Sequence, residues 1–327
     1  VGKLRVGTRG SDLALVQTRW VLKELGLAFD HNDDATKAEL VVISTKGDEV
    51  QDKSLSQVGG SGLFLKEIET ALLEQRIDFA VHSMKDIPSK VPEGLALAAT
   101  TRREDPRDAI VVRRDLDQGL ESVRDLPAEA TIATGSLRRR SQIASLRPDI
   151  RIEELRGNVP TRLRKLDESS WHAIVLAAAG LRRLGREDRI AALAPTETLV
   201  PAVGQGALAI ETRSDDEHVR SLVRALNDRE AELAVSAERA LLSRLEGGCQ
   251  VPIGAYAQVS RSSDQLRLRA YVGSVDGSRH IRSERSGPTS AAEEIGLALA
   301  ESMLEDGAQD IIDAAVDSSR VDHGGSG

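Results

Sequence analysis

"KLRVGTRGSDLALVQTRWVLKEL", residues 3–25, changes its hydrophobic period partway along. Its first six residues alternate and favour a strand. After a polar turn, Leu13, Val16 and Trp20 fall on one face at helical spacing, and Ser11 is placed to cap the helix. Strand, polar turn, helix is the unit from which open α/β sheets are built. The same order returns in "ATIATGSLRRRSQIASLR" (130–147) and in "IRIEELRGNVPTRLRKLD" (150–167), where Pro160 suits a first helical turn. "AELVVIS" (38–44) and "FAVHS" (79–83) read as buried strands, with "GGSGLFLKEIETALLEQR" (59–76) between them as a glycine-rich turn opening a helix.

The pattern runs twice, which predicts an α/β protein of two similar doubly wound lobes facing a cleft. The expected first lobe is 1–103 plus 204–226, because "LVPAVGQGALAIETR" (199–213) can carry the chain back to it; the second is 104–203. From residue 227 the character changes. A helix is followed by a cysteine-containing loop and three alternating strands, "IGAYAQV" (253–259), "LRLRAYVGS" (266–274) and "RHIRSERS" (279–286), then two helices. This predicts a small α+β domain over 227–320 with a three-stranded antiparallel sheet, and a disordered tail over 321–327.

The 327 residues are 40% hydrophobic and 29% charged, and a single cysteine excludes an internal disulfide. No apolar run approaches the roughly 20 residues of a membrane span, and the first residues lack the regions of a signal peptide, so a cytoplasmic protein is expected. A net charge of −8 and seven aromatic residues argue against nucleic-acid binding. Yet residues 131–190 carry 13 Lys/Arg against 7 Asp/Glu, a local +6 in an acidic chain. The arginines fall at strand-to-helix junctions, where sheets of this kind bind ligands, so a discrete ligand with several carboxylates is indicated. The glycine-rich turn at 59–64 lacks the lysine and hydroxyl of a phosphate loop, and the dinucleotide fingerprint is absent.

Two residues stand out and have two readings each. Cys249, in "RLEGGCQVPIG" (244–254), is by type a small core residue, but Gly247, Gly248 and Pro252 place it on a loop. "VHSMKDIP" (81–88) puts His82, Ser83, Lys85 and Asp86 after a buried strand; Asp86 could cap its own turn or stabilise a cation in an arginine-lined cleft. A non-catalytic anion-binding protein, with the two-lobed fold of periplasmic solute receptors, would need neither residue. A phosphate-handling transferase is disfavoured by the missing phosphate loop.

Eight segments taken together, "VGTRGSDLALVQ", "GLFLKEIETALLEQRIDFAVHSMKDIP", "REDPRDAIV", "TGSLRRRSQI", "LRGNVPTRLRKLD", "AAAGLRRLG", "VPAVGQGALAIE" and "ERALLSRLEGGCQVPIGAYA", resemble the hydroxymethylbilane synthases, or porphobilinogen deaminases. The likeness covers nearly the whole chain, in the family's order. It implies a transferase of tetrapyrrole and heme biosynthesis that deaminates four porphobilinogen molecules, joins them head to tail and releases hydroxymethylbilane with water. It also implies a dipyrromethane cofactor on a thioether to Cys249, with Asp86 as the catalytic carboxylate. Cofactor contacts would come from Ser83, Lys85, Thr134, Ser136, Arg138, Arg139, Arg156, Gly157 and Asn158. Substrate contacts would come from Arg9, Ser11, Phe64, Arg162, Arg183 and Gln205. A metal is not implied. A cytoplasmic monomer is, without nucleic-acid or membrane partners, passing its product to uroporphyrinogen-III synthase. Three positions depart from the family pattern: Gln57 and Ser61 stand where relatives carry lysines, and Gly135 where serine is usual.

Overall fold

Among the described residues, nine strands and a returning tenth form the two lobes. The chain lays down β1 (Leu4–Thr8), β2 (Ala38–Val42), β3 (Phe79–Ser83) and β4 (Leu95–Thr100), then β5 (Asp108–Val112), β6 (Thr131–Ala133), β7 (Arg151–Glu153), β8 (Ala173–Ala177) and β9 (Ala192–Leu193), and finally β10 (Leu208–Arg213). The first sheet has the order β2-β1-β3-β10-β4 and the second β7-β6-β8-β5-β9. In each, β1 to β3 or β6 to β8 are parallel, and one strand arriving from the other lobe, β10 or β5, runs antiparallel to both its neighbours. This computed structural model describes residues 3–28, 37–44, 65–116, 119–245, 251–260 and 262–321.

Helices cover both faces of each sheet, as parallel strands buried on both sides require. In the first lobe, Val21 and Leu22 of α1 (Asp12–Glu24) pack on Val6, Phe79 and Ile210, while Ile68 and Leu72 of α2 (Lys66–Leu73) pack with Ile43, Ile77 and Ala80. In the second, Ile143 of α3 (Leu137–Leu146) meets Ile132 and Val175. On the opposite face Leu163 and Leu166 of α4 (Val159–Glu168), with Leu181 of α5 (Ala178–Arg183), meet Ile174 and Leu176.

The two crossovers between lobes lie side by side. Glu104 N donates to Gly206 O at 3.1 Å, and a Cβ on Gly206, whose φ is +98°, would stand 2.3 Å from Glu104 O. Only glycine lets the strands approach so closely.

After α6 (Glu217–Val223) and α7 (Arg229–Arg244), strands β11 (Ile253–Ser260), β12 (Gln265–Gly273) and β13 (His280–Pro288) form an antiparallel meander. With α8 (Ala292–Glu305) and α9 (Ala308–Val321) they enclose a core that includes Leu241, Leu268, Leu299 and Met303. Glu238 of α7, fully buried, joins this unit to the crossovers. Its carboxylate accepts from Arg103 at 2.5 Å, from Gly204 N at 2.6 Å and from Ala257 N at 2.8 Å. Tyr271 of β12 reaches the second lobe through a buried 2.7 Å hydrogen bond to Ser141 of α3. Among the described residues no helix is long and apolar enough to cross a membrane.

Candidate active site

The carboxyl ends of β1 and β3 in one lobe and of β6 and β7 in the other lead into turns that carry most of the expected site residues. Three of those turns end in a helix cap. Ser11 accepts from Ala14 N at 3.3 Å, Ser136 from Arg139 N at 3.5 Å and Asn158 from Thr161 N at 3.0 Å. Each cap holds a helix N-terminus in place, with its remaining N–H groups available to an anion. Thr134 is buried, and its Oγ1 accepts from Ser136 N at 3.2 Å, tightening the second turn. Gly157 takes φ +114° before the cap at Asn158, and a Cβ there would lie 2.7 Å from Thr161 Cγ2. At Gly135 a Cβ would stand 2.6 Å from Leu155 O, so the departure from serine lets the β6 and β7 turns close on each other.

In the first lobe, β3 ends at Ser83 and passes into a single 3-10 turn, Met84–Asp86. Ser83 Oγ accepts from Gln17 Nε2 at 2.9 Å, and buried His82 faces Glu211, Nε2 to Oε2 at 3.1 Å. The Asp86 carboxylate is exposed and accepts no hydrogen bond from the described residues, its own turn included. A pocket open to solvent is lined by Arg9, Ser11, Gln17, His82, Ser83 and Asp86 among others.

Cations face this carboxylate from both lobes. Desolvation in the cleft pushes the Lys85 amine down to about 8; Arg139 and Arg138 add to the shift, and Asp86 and Asp108 oppose it. Burial likewise lowers Arg162 to about 10, with Arg139 and Arg156 in the same direction and Asp86 against. Lys85 and Arg162 thus sense charges of the opposite lobe, which places the two halves of the site within electrostatic reach. Arg183, lowered to about 10 by burial, donates to Gly206 O at 2.7 Å, and Arg156 Nε donates to Glu154 at 2.7 Å.

Arg138 and Arg139 are almost completely buried around Asp108, a residue to which the sequence reading assigned no role. Burial alone would raise the Asp108 pKa, but the two guanidiniums outweigh it and hold the carboxyl well below the usual range. Gln205 Nε2 donates to the same carboxylate at 2.9 Å and to Pro106 O at 2.7 Å. A sequence signal was present: an aspartate opening the continuous apolar strand of "DAIVV" needs a buried counter-charge. Gln17, which reaches Ser83 from one helical turn beyond its own strand-to-helix junction, was also missed. Cys249 and Phe64, with Gln57 and Ser61, lie outside the described residues.

Fold and site define a two-lobed protein that exposes the Asp86 carboxylate among guanidiniums suited to a polycarboxylate ligand. Residues 4–221 match the family model for porphobilinogen deaminase, dipyromethane cofactor binding domain, and residues 232–305 match porphobilinogen deaminase, C-terminal domain. A curated porphobilinogen deaminase from Geobacter metallireducens is 50% identical over 310 residues, 95% of this chain and 94% of its own. Among solved structures, the Bordetella pertussis BvgS VFT2 domain shares a TM-score of 0.40 at 13% identity over 72% of this chain and 91% of that one. Holo ArgBP from T. maritima shares 0.34 at 15% identity over 68% and 88%. At those scores neither adds to what the strand orders already show. The chain belongs to the porphobilinogen deaminase family. It is a transferase of tetrapyrrole biosynthesis that polymerises porphobilinogen and carries a dipyrromethane cofactor.

The residues present fit that cofactor. Buried Arg138 Nε has no hydrogen-bond partner among the described residues, and the surrounding guanidiniums, the Lys85 amine and the capped helix N-termini are all donors to carboxylate.

Proposed function

We propose that Asp86 is the catalytic carboxylate and that Cys249 anchors the cofactor through a thioether, its sulfur displacing a hydroxymethyl oxygen as water. The observation that most supports the first part is the state of Asp86: exposed at the cleft mouth, uncommitted, and faced by Lys85 and Arg162. When bound, the cofactor supplies the pyrrole on which the chain grows. Ser83, Lys85, Thr134, Ser136, Arg138, Arg139, Arg156, Gly157 and Asn158 would hold it. Arg9, Ser11, Arg162 and Arg183 would receive the acetate and propionate groups of porphobilinogen and of the growing chain, and Phe64 would stack near a pyrrole ring; Gln205, buried with both amide hydrogens given to Asp108 and Pro106, would support the site from behind.

Porphobilinogen that loses ammonia becomes an electron-poor methylene-pyrrolenine cation. The Asp86 carboxylate accepts a pyrrole N–H, opposes the positive charge, and is placed to take the proton released after each carbon–carbon bond forms. Lys85 and the arginines neutralise the substrate carboxylates. In this reading the protein divides into lobes 1–103 plus 204–226 and 104–203 with a third domain over 227–320, works as a cytoplasmic monomer, and passes hydroxymethylbilane to uroporphyrinogen-III synthase.

Replacing Arg156 by Leu tests the cleft. Among the described residues its guanidinium is tied to Glu154 alone, at the edge of the site, so it can turn to a ligand carboxylate. Loss of one charge-assisted contact should weaken binding about ten- to hundredfold, seen as slowed elongation and accumulation of shorter enzyme-bound chains by intact mass. Arg182→Leu should have a smaller effect, because Arg182 pairs with Glu104 at 2.9 Å and Asp105 at 3.3 Å. Equal intermediate distributions in wild type and Arg156→Leu would count against the assignment.

Lys85 predicts a pH dependence. Its amine is charged below about 8 and neutral above it, so its attraction for carboxylate is lost as pH rises through that value. Loading of cofactor-free protein with hydroxymethylbilane, followed by intact mass, should therefore slow above pH 8. Lys85→Arg should remove that alkaline limb, since a guanidinium stays charged.

A further inference from the structure

Asp108 opens β5 at the point where the first crossover enters the second lobe, and it is fully buried. Its carboxylate accepts from Arg138 Nη1 at 2.7 Å and Nη2 at 3.2 Å, and from Arg139 Nε at 3.0 Å and Nη2 at 2.8 Å. Gln205, on the returning crossover, adds a fifth donor at 2.9 Å. Backbone carbonyls complete the cage: Val200 O accepts from Arg138 Nη1 at 2.7 Å and Val175 O from Arg139 Nη1 at 2.9 Å.

Two guanidiniums on successive residues of one helical turn repel each other, and burial makes the repulsion worse. One carboxylate between them removes it and fixes both planes. A guanidinium has five N–H groups, so each arginine keeps donors to spare, including the partnerless Nε of Arg138. Asp108 itself has no exposed surface and cannot touch a ligand.

We infer that Asp108 is the positioning residue of the cofactor site: it presets the Arg138 and Arg139 forks, and ties them to both crossovers, before any ligand carboxylate arrives. The inference rests on the reading that this cleft holds the cofactor. The same carboxylate also bears on Lys85, whose charged neighbours are Asp86 on its own turn, Asp108 from β5 and Arg138 and Arg139 from α3. Removing the Asp108 charge takes away one of the two carboxylates that oppose burial and the two arginines, and drives the Lys85 amine further down.

The test is the loading of full-length, cofactor-free protein with preformed hydroxymethylbilane, followed by intact mass across a pH series, in wild type, Asp108→Asn and Asp108→Glu. In folded Asp108→Asn the half-saturating hydroxymethylbilane concentration should rise about tenfold or more. Its alkaline limb should move down by about one pH unit. Asp108→Glu keeps the charge and hence the limb, but displaces the carboxylate by a methylene. It should raise the half-saturating concentration while the maximal loading rate, set by the thiol, stays near wild type. A merely structural aspartate would lower thermal stability in both variants and move neither the limb nor the half-saturation. Wild-type loading by folded Asp108→Asn would overturn the inference. If Asp108→Asn does not fold, a wild-type half-saturation in Asp108→Glu would do the same. A wild-type protein that gains no pyrrole mass would instead refute the reading of the cleft, a different and separately visible failure.

Discussion

Asp86→Asn should fold, load its cofactor and turn over porphobilinogen about 10² to 10³ times more slowly than wild type. Asparagine is nearly isosteric and its carbonyl can still accept a hydrogen bond, so a purely geometric role would survive the change. A cation-stabilising role would not, because it depends on the full negative charge and is called on at every condensation. The structure sharpens the contrast. The Asp86 side chain holds no hydrogen bond in its turn, so the substitution removes no structural contact there. The 3-10 turn is kept by Ile87 N donating to Met84 O at 3.1 Å and by Met84 N donating to Ala207 O at 3.0 Å, both backbone bonds. Because the same chemistry can build the cofactor, the mutant is first supplied with hydroxymethylbilane and its mass checked. Turnover within a few-fold of wild type in the loaded protein would remove Asp86 from the mechanism.

Cys249→Ser should give a folded protein with no covalent pyrrole at all. A hydroxyl is a far poorer nucleophile than a thiol, whose free pKa is about 8.5, and the chain contains no second cysteine to take over. Intact mass and a colour reaction with an acidic aldehyde reagent report the loss directly. The variant should also melt below the loaded wild type, since a ligand bound only to the folded state adds to its stability. The native adduct mass in Cys249→Ser would place the anchor elsewhere.

The elements were legible because their signals are local. At the opening segment the switch from alternation to helical spacing marks β1 and α1, and Ser11 caps where the pattern places it. The turns at 134–136 and 156–158 were recognisable as strand-to-helix junctions for the same reason: a polar cap following an apolar strand lies at the sheet's carboxyl edge. The partners of the charged groups were not. Arg138 and Arg139 read as two cleft arginines, yet in the fold both close on Asp108, 30 and 31 residues away, with Gln205 joining from 97. His82, one of four polar residues at the end of β3, is buried against Glu211, 129 residues distant.

The sequence by itself determined the periods, the caps and the set of motifs that carry the family resemblance, since each depends on residues within a turn or two of one another. Tertiary structure alone decided which charges are committed and which are free. That choice depends on burial: desolvation makes Arg138 and Arg139 share the buried Asp108 carboxylate, while Asp86, left at the solvent edge, accepts no hydrogen bond from the described residues.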